Sequence, residues 1–366
     1  MTTQLQQMLR SVADMIPEIL ASAPALDREP RFPTDEFTQL RLIGTTSSVV
    51  PQKYGGMGLG IGEDGNLSLF ELLRLLGRGN LAVGRIFEGH VNAFQLVMLY
   101  GDKVQKESAI ADVQSGHLFA IWIAEGSDPV RFADSEDHTL VGRKIFCSGA
   151  GYATRAVITA QAQDGVHMLL VSVPATTDDP GVGGLVHGMK ASVTSGFSFD
   201  GFPAPRNSRL GCLGDYLREP AFSGGAWRTA AVTLGGLDTL IDETRKQLIA
   251  KARHRDPHQL MRMGQAFIAQ ETAQLWVRRA AVMAGSNDQN SEPITAYVNF
   301  ARTALEEIVL NVIRVVQRCL GLSAFITANP VERLMRDLAT YVRQPAPDEA
   351  LTEASAWRFE HDFPQH

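Results

Sequence analysis

Two stretches decide the reading of this chain, FAIWIAEGSDPVRF at residues 119–132 and GRKIFCSGAGYATRAVITAQ at residues 142–161. Each holds a run of apolar, β-branched or aromatic residues, which predicts a short buried strand, and that run leads into a turn of small residues. Such turns let backbone N–H groups approach a ligand closely. Trp122 and Phe146 offer flat faces to an aromatic ligand, and Ser127 and Ser148 offer hydroxyls to its edge. The combination suits a flavin.

Further short strands follow on either side of this pair. HTLVGRKIF, RAVITAQAQ, HMLLVSVPA and SVTSGFSFDGFPAP are separated by Gly, Asp and Ser, with a loop TTDDPGVGGLVHGMK before the last, so residues 115–219 read as a β unit. On its N-terminal side the periodicity is helical. Leu5, Met8, Leu9, Val12, Ile16, Ile19 and Leu20 mark one face of a helix, VVPQKYGGMGLG makes sharp turns, and NLSLFELLRLLG resumes the helical spacing. Residues 1–114 are therefore expected to be a helical domain. From residue 220 to 366 three long helical patterns and a shorter one at VERLMRDLATYV predict an antiparallel bundle. In the last long helix the inward stripe is expected at Tyr297, Phe300, Ala301, Ala304, Ile308, Asn311, Val312 and Val315. The fold class is α+β: N-terminal helices, a middle β-barrel-like domain and a C-terminal helical bundle.

Composition narrows the functions. A chain of 366 residues with 45% hydrophobic content can bury a large core. Its formal charge of −6, with Lys and Arg scattered, provides no basic field for a polyanion, so nucleic acid is not an expected partner. No uninterrupted apolar run reaches the roughly 20 residues that span a bilayer, and the N-terminus lacks the order of a signal peptide. The expected location is the cytoplasm, without a membrane partner. Cys147, Cys212 and Cys319 are widely spaced and are expected to be buried small hydrophobes, with no disulfide framework and no metal site.

The order of domains, together with these motifs, resembles the acyl-CoA dehydrogenase family over residues 40–347. VPQKYGGMGLG is similar to a proline, tyrosine and diglycine segment of that family, and Ala124, Glu125, Gly126, Ser127 and Asp128 resemble a shortened form of its first flavin-contacting loop. KIFCSGAGYATRAVITA is similar to the second flavin strand, which assigns the ring contacts to Phe146 and Ser148. The resemblance implies FAD as cofactor. It further implies that Arg255, with Arg253 as the alternative, meets the FAD pyrophosphate, often across a subunit interface, and that Gln317 and Gly321 lie against the cofactor. Glu332, Arg333, Arg336 and Asp337 match the charged signature of the following helix and are expected to form structural ion pairs. A homodimer or homotetramer, an acyl-CoA or other acyl thioester substrate, and an electron-transfer flavoprotein as partner are further implications.

The same resemblance exposes a departure. Dehydrogenation at the α and β carbons of an acyl thioester needs a carboxylate to take the α proton. Where most of the family has that glutamate, this chain reads VRQPAPDEALTEA, with Pro345 at its place. A second family location, at the start of the bundle, corresponds to Trp227 and Arg228. Asp348 and Glu349 are the nearest acids and are the candidate bases; the alternative is that they begin the last helix at its favourable N-terminal end. Glu88 and His90 in FEGHVNAF are further acid or base candidates if they face the pocket. Three functions follow: an FAD-dependent acyl-CoA dehydrogenase with a displaced base, a flavin-dependent monooxygenase on the same fold that needs no such base, or a non-catalytic relative that binds or assembles.

Overall fold

A computed structural model describes residues 3–133, 138–175, 186–286 and 290–364. Five helices come first: α1 (Thr3–Arg28), α2 (Thr34–Leu42), α3 (Gly62–Gly79), α4 (Leu81–Tyr100) and α5 (Lys103–Gln114). Side-chain caps set their limits. Asn80 ends α3 and caps α4, its Oδ1 accepting the Ala82 N–H at 2.9 Å, and Asp102 forms a reciprocal capping box with Gln105 at the start of α5. Helix α4 is buried on nearly all sides, which its apolar sequence requires.

Eight strands follow: β1 (Phe119–Trp122), β2 (Arg131–Phe132), β3 (Thr139–Val141), β4 (Arg143–Cys147), β5 (Arg155–Ala162), β6 (Gly165–Ser172), β7 (Ser195–Ser198) and β8 (Phe202–Pro203). They make a curled six-stranded sheet in the order β1-β5-β2-β3-β8, with β6 also on β5, and a separate pair β4-β7. β1 runs parallel to β5 with Phe119 opposite Arg155, and β5 pairs antiparallel with β6 along its whole length. Most of the loop expected between the last strands, residues 176–185, lies outside the described residues.

The remaining helices are α6 (Trp227–Ala250), α7 (Pro257–Ala284), α8 (Glu292–Leu320), α9 (Pro330–Tyr341) and α10 (Pro347–Glu360). Asp256 and Asn329 cap α7 and α9, each followed by proline at the first helical position, where no N–H is needed. The buried stripe of α8 differs from the expected one. Tyr297, Ala301, Val312 and Val315 are inside, but the rest of the seam is Val298, Leu305, Val309, Val316 and Cys319, with Asn311 exposed. The helix is enclosed by α6, α7 and α10, so more than one face is covered. By length and composition α8 is apolar enough to cross a membrane, although charged residues interrupt its apolar sequence.

The core does not follow the three sequence units. One continuous core joins residues of α1, α3 and α4 with those of α6, α7, α8 and α9, and the β unit keeps a smaller core of its own around Trp122, Phe197 and Phe199. The charged signature of α9 forms ion pairs as expected: Arg333 with Asp337, and Arg336 with Glu332 and with Asp27 of α1. Cys147 and Cys319 are buried, whereas Cys212 is exposed on the loop after the β unit. No group of His, Cys, Asp and Glu that could hold a metal is found among the described residues.

Candidate functional site

The β side of the site is a kinked turn at the end of β4. The β4-β7 register shifts between Lys144 and Cys147, and at this bulge Phe146 takes a left-handed backbone with φ 55° and leaves its ring 53% exposed. Such a conformation costs a non-glycine residue on the order of 1–3 kcal/mol, and strain of this kind concentrates where a ligand is held. The turn beyond it is braced. Trp122 Nε1 donates to the Ser148 carbonyl at 3.0 Å, the Gly149 N–H donates to Ser192 O at 2.9 Å, and the hydroxyls of Ser148, Thr194 and Ser192 form a chain at 2.9 and 2.7 Å. An exposed aromatic face beside a row of hydroxyls fits the ring and polar edge of a flavin.

Trp122 therefore has a different role from the one expected of its side chain. The indole is 1% exposed, packs on Phe197 at 5.2 Å between centroids, and holds the turn from behind. Ala124 is adjacent: its carbonyl accepts the Ile145 N–H at 2.9 Å, which sets the 124–127 loop, including exposed Ser127, alongside β4. Thr194 was not singled out by sequence, because a lone threonine in SVTSGFSF carries no spacing signal.

The α4 side contributes a seam of polar residues on an otherwise apolar helix. Arg85, Glu88, Asn92 and Gln95 succeed one another at three- and four-residue steps. Glu88, 2% exposed, accepts from Arg85 Nη1 at 2.6 Å, from Thr229 Oγ1 at 3.1 Å and from Asn92 Nδ2. Arg228 on α6 donates to Asn92 Oδ1 at 2.9 Å, to the Gly225 carbonyl at 3.4 Å and to Gln95 Oε1. Tyr341 at the end of α9 closes the seam; burial pushes its phenol well above the usual range, and the Glu88 charge adds to that. The seam meets the β turn directly, since Arg85, Ile86 and Gly89 line one cleft with Ser148, Gly149 and Ala153. Charged residues at helical spacing inside LAVGRIFEGHVNAFQLV were the signal available for it.

His90 is excluded as an acid or base. Its Nδ1 accepts the Phe119 N–H at 3.1 Å, which leaves Nε2–H to donate to Thr46 O at 3.0 Å, so the ring is a neutral strut between α4 and β1. Burial drives it from 6.5 down to about 4. Between those values the unfolded chain takes a proton and the folded chain does not, so its contribution to stability is complete above pH 6.5 and falls as pH drops to 4. The loss should reach about 3 kcal/mol. Urea unfolding of wild type and His90→Gln at pH 7.5 and 4.5 checks this; an equal acid sensitivity in both would refute it.

Asp348 and Glu349 are not brought to the site. Both are exposed in the first turn of α10, which packs on α8, and Arg302 Nη2 fixes the chain just before them by donating to the Pro345 and Ala346 carbonyls at 2.8 and 3.0 Å. Arg255, Gln317 and Gly321 gather elsewhere, at one end of the bundle. Arg255 is exposed in the α6–α7 turn, Gln317 is partly buried, and Gly321 ends α8 with φ 62° and open space where a Cβ would stand. Lys251 Nζ to Ser323 Oγ at 3.4 Å and Arg262 Nη1 to Arg318 O at 3.3 Å tie these two segments together. Among the described residues no hydrogen bond or ring contact joins them to the Phe146–Ser148 turn.

Helices on either side of a curled sheet, with the Phe146 turn facing a polar seam, are the acyl-CoA dehydrogenase fold. The profile of the acyl-CoA dehydrogenase N-terminal domain matches residues 2–117. Acryloyl-CoA reductase (NADH) of Anaerotignum propionicum is 26% identical over 356 residues, 92% of this chain and 89% of that protein. The very long-chain specific acyl-CoA dehydrogenase of Mus musculus mitochondria is 24% identical over 84% of this chain, which spans only 50% of that relative's length. A structure titled KijD3 in complex with FMN and dTDP-3-amino-2,3,6-trideoxy-4-keto-3-methyl-D-glucose shares the fold at a TM-score of 0.82, with 19% identity over all of this chain and 96% of that one. Residues 2–117 thus match the N-terminal domain of acyl-CoA dehydrogenases, and the chain as a whole is similar to these proteins and has their fold.

Proposed function

We propose that the protein is a flavin-dependent oxidoreductase that oxygenates a polar substrate held along the α4 seam. The observation that carries this reading is the wall of Arg85, Glu88, Asn92, Gln95, Arg228 and Tyr341 beside the flavin turn. An alkyl chain laid there would leave the unpartnered Arg228 Nε desolvated, at about 1–3 kcal/mol, whereas a polar substrate can accept a hydrogen bond from it. The flavin supplies the redox chemistry. This chain's residues position the ring at Phe146, bond its edge at Ser148 and Thr194, and exclude water. FAD is the proposed flavin, with its ADP half at Arg255, Gln317 and Gly321 of a second copy. Leu260, Met261, Phe267, Ile268 and Leu275, an exposed apolar stripe along α7, support a homodimer or homotetramer. A cytoplasmic enzyme is part of the same proposal.

One observation favours a second reading, α,β-dehydrogenation of an acyl thioester with an electron-transferring flavoprotein as acceptor. Glu88 is a buried carboxylate next to cleft-lining Gly89 and one turn from cleft-lining Arg85. Against this, all three of its donors are already in place, so the base would have to break an ion pair before taking a proton. Anaerobic titration of the flavin-loaded protein with butyryl-, octanoyl- and palmitoyl-CoA, followed by oxygen uptake with reduced flavin supplied, separates the two. Oxygenation predicts no bleaching by any of the three thioesters and oxygen uptake only with reduced flavin. Bleaching would establish dehydrogenation, and a colourless protein that FAD and FMN cannot reconstitute would sink both.

A further inference from the structure

Arg228 is set apart from the other deeply placed arginines. Arg74, Arg85, Arg333 and Arg336 each have a carboxylate partner, at 2.7, 2.6, 3.0 and 2.6 Å. The partners of Arg228 are two side-chain amides and one backbone carbonyl, all neutral, and its guanidinium lies over the Trp227 ring at 5.5 Å. A guanidinium has five N–H donors, and these three bonds leave two uncommitted. One of the two is Nε, which is buried without a hydrogen-bond partner among the described residues. Tyr341, 6% exposed at the other end of the seam, has a buried hydroxyl whose near polar neighbour is Thr229, with no hydrogen bond of good geometry among the described residues.

The charges along the seam do not cancel. Arg85 and Glu88 neutralise each other through their 2.6 Å bond, which leaves the Arg228 cation as the excess. Taking a cation out of water is unfavourable, and burial lowers Arg228 to about 10, the nearby Glu88 charge offsetting only part of this. Asn92 and Gln95 soften this cost with dipoles and cannot remove it. A ligand carrying one negative charge can.

We propose that Arg228 is the anchor for a carboxylate on the substrate. The inference rests on the seam being the substrate chamber and names the group it was built to receive. A planar carboxylate matches the guanidinium fork through Nε and a neighbouring Nη, a match a lysine ammonium cannot reproduce. Tyr341 then donates to a second acceptor on the same molecule. Neutral sugars are disfavoured by the unbalanced cation.

The test uses the purified, flavin-containing protein and reads binding rather than turnover. Butyrate, butyramide and butylamine are titrated at constant ionic strength by calorimetry and thermal shift. Butyrate should bind saturably and raise the melting temperature, and the amide and amine should not. Arg228→Gln should weaken butyrate at least ten-fold, and Arg228→Lys, which keeps the charge and loses the fork, should weaken it by several-fold; if the glutamine variant does not fold, the lysine variant decides. Equal binding of butyramide, or butyrate affinity unchanged in the variant that folds, overturns the assignment. Because no redox step enters the readout, a protein that binds butyrate through Arg228 yet fails the oxygen-uptake experiment refutes the oxygenation reading and leaves this one standing.

Discussion

Gly77→Val and Gly235→Val are each expected to yield no soluble folded protein, because these glycines are where α3 and α6 cross backbone against backbone. A Cβ on Gly77 would stand 2.1 Å from the Val232 carbonyl oxygen, and one on Gly235 would stand 2.1 Å from that of Arg74. The obstacles are main-chain atoms inside two helices, so relief requires the helices to separate. That separation would open the core continuous between the N-terminal helices and the bundle. Overpacking of a core commonly costs about 1–3 kcal/mol where side chains can yield; here they cannot, and the loss should approach the roughly 5–15 kcal/mol total stability of a folded protein. Gly264, inside α7 with no atom within 4 Å of its Cβ position, is the control. Gly264→Ala should stabilise by about 0.5–1 kcal/mol. Soluble yield and urea midpoints decide; a folded Gly235→Val variant would show that the crossing can slide.

Asp238→Ala should cost about 3–5 kcal/mol, the largest loss expected from a single side-chain truncation here. Asp238 is fully buried on α6 and accepts from Arg74 Nε and Nη2 at 2.7 and 3.2 Å, from Arg78 Nη1 at 3.5 Å and from Gln270 Nε2 at 2.6 Å. Truncation leaves Arg74, whose side chain is 18% exposed, without its counter-charge. The pair joins α3 to α6 and, through Gln270, to α7, so its loss loosens the same junction that the glycines form. Arg78 also bonds Asp242 at 3.0 Å on the rim, where both side chains are over a third exposed, and Asp242→Ala should change stability by under 1 kcal/mol. Salt separates the two further. At 1 M salt, where screening acts within roughly 3 Å, the Asp238 effect should persist and that of Asp242 should vanish. Equal losses in the two variants would contradict the burial argument.

The seam along α4 shows where sequence reasoning stopped. Arg85, Glu88 and Asn92 were visible as polar residues in an apolar run, yet their partners Arg228, Thr229 and Tyr341 come from segments more than a hundred residues away. Periodicity places a residue on a face of its own helix and does not say which helix that face meets. Asp348 and Glu349 illustrate the converse. Their proximity to Pro345 in sequence suggested displaced bases, but the left-handed Ala346 and the Arg302 contacts turn the chain away, and both carboxylates face solvent on α10. Trp122 shows the limit within a strand: sequence offered it as a flat face for an aromatic ligand, whereas only the packing of Phe197 against it reveals that it faces inward.

Sequence by itself determined the order of helices, strands and helices and the turn at Phe146–Ser148, and it carried the resemblance to acyl-CoA dehydrogenases, because these depend on local spacing and on motifs a few residues long. Tertiary structure alone decided that the first and third units share one core through glycine-to-glycine contact, that His90 is a neutral strut, and that Arg228 is half-buried with neutral hydrogen-bond partners and no carboxylate bonded to it among the described residues. The physical reason is the same for each. Burial, desolvation and charge balance belong to the surroundings a residue finds after the chain has folded, and those surroundings are assembled from positions that no local pattern connects.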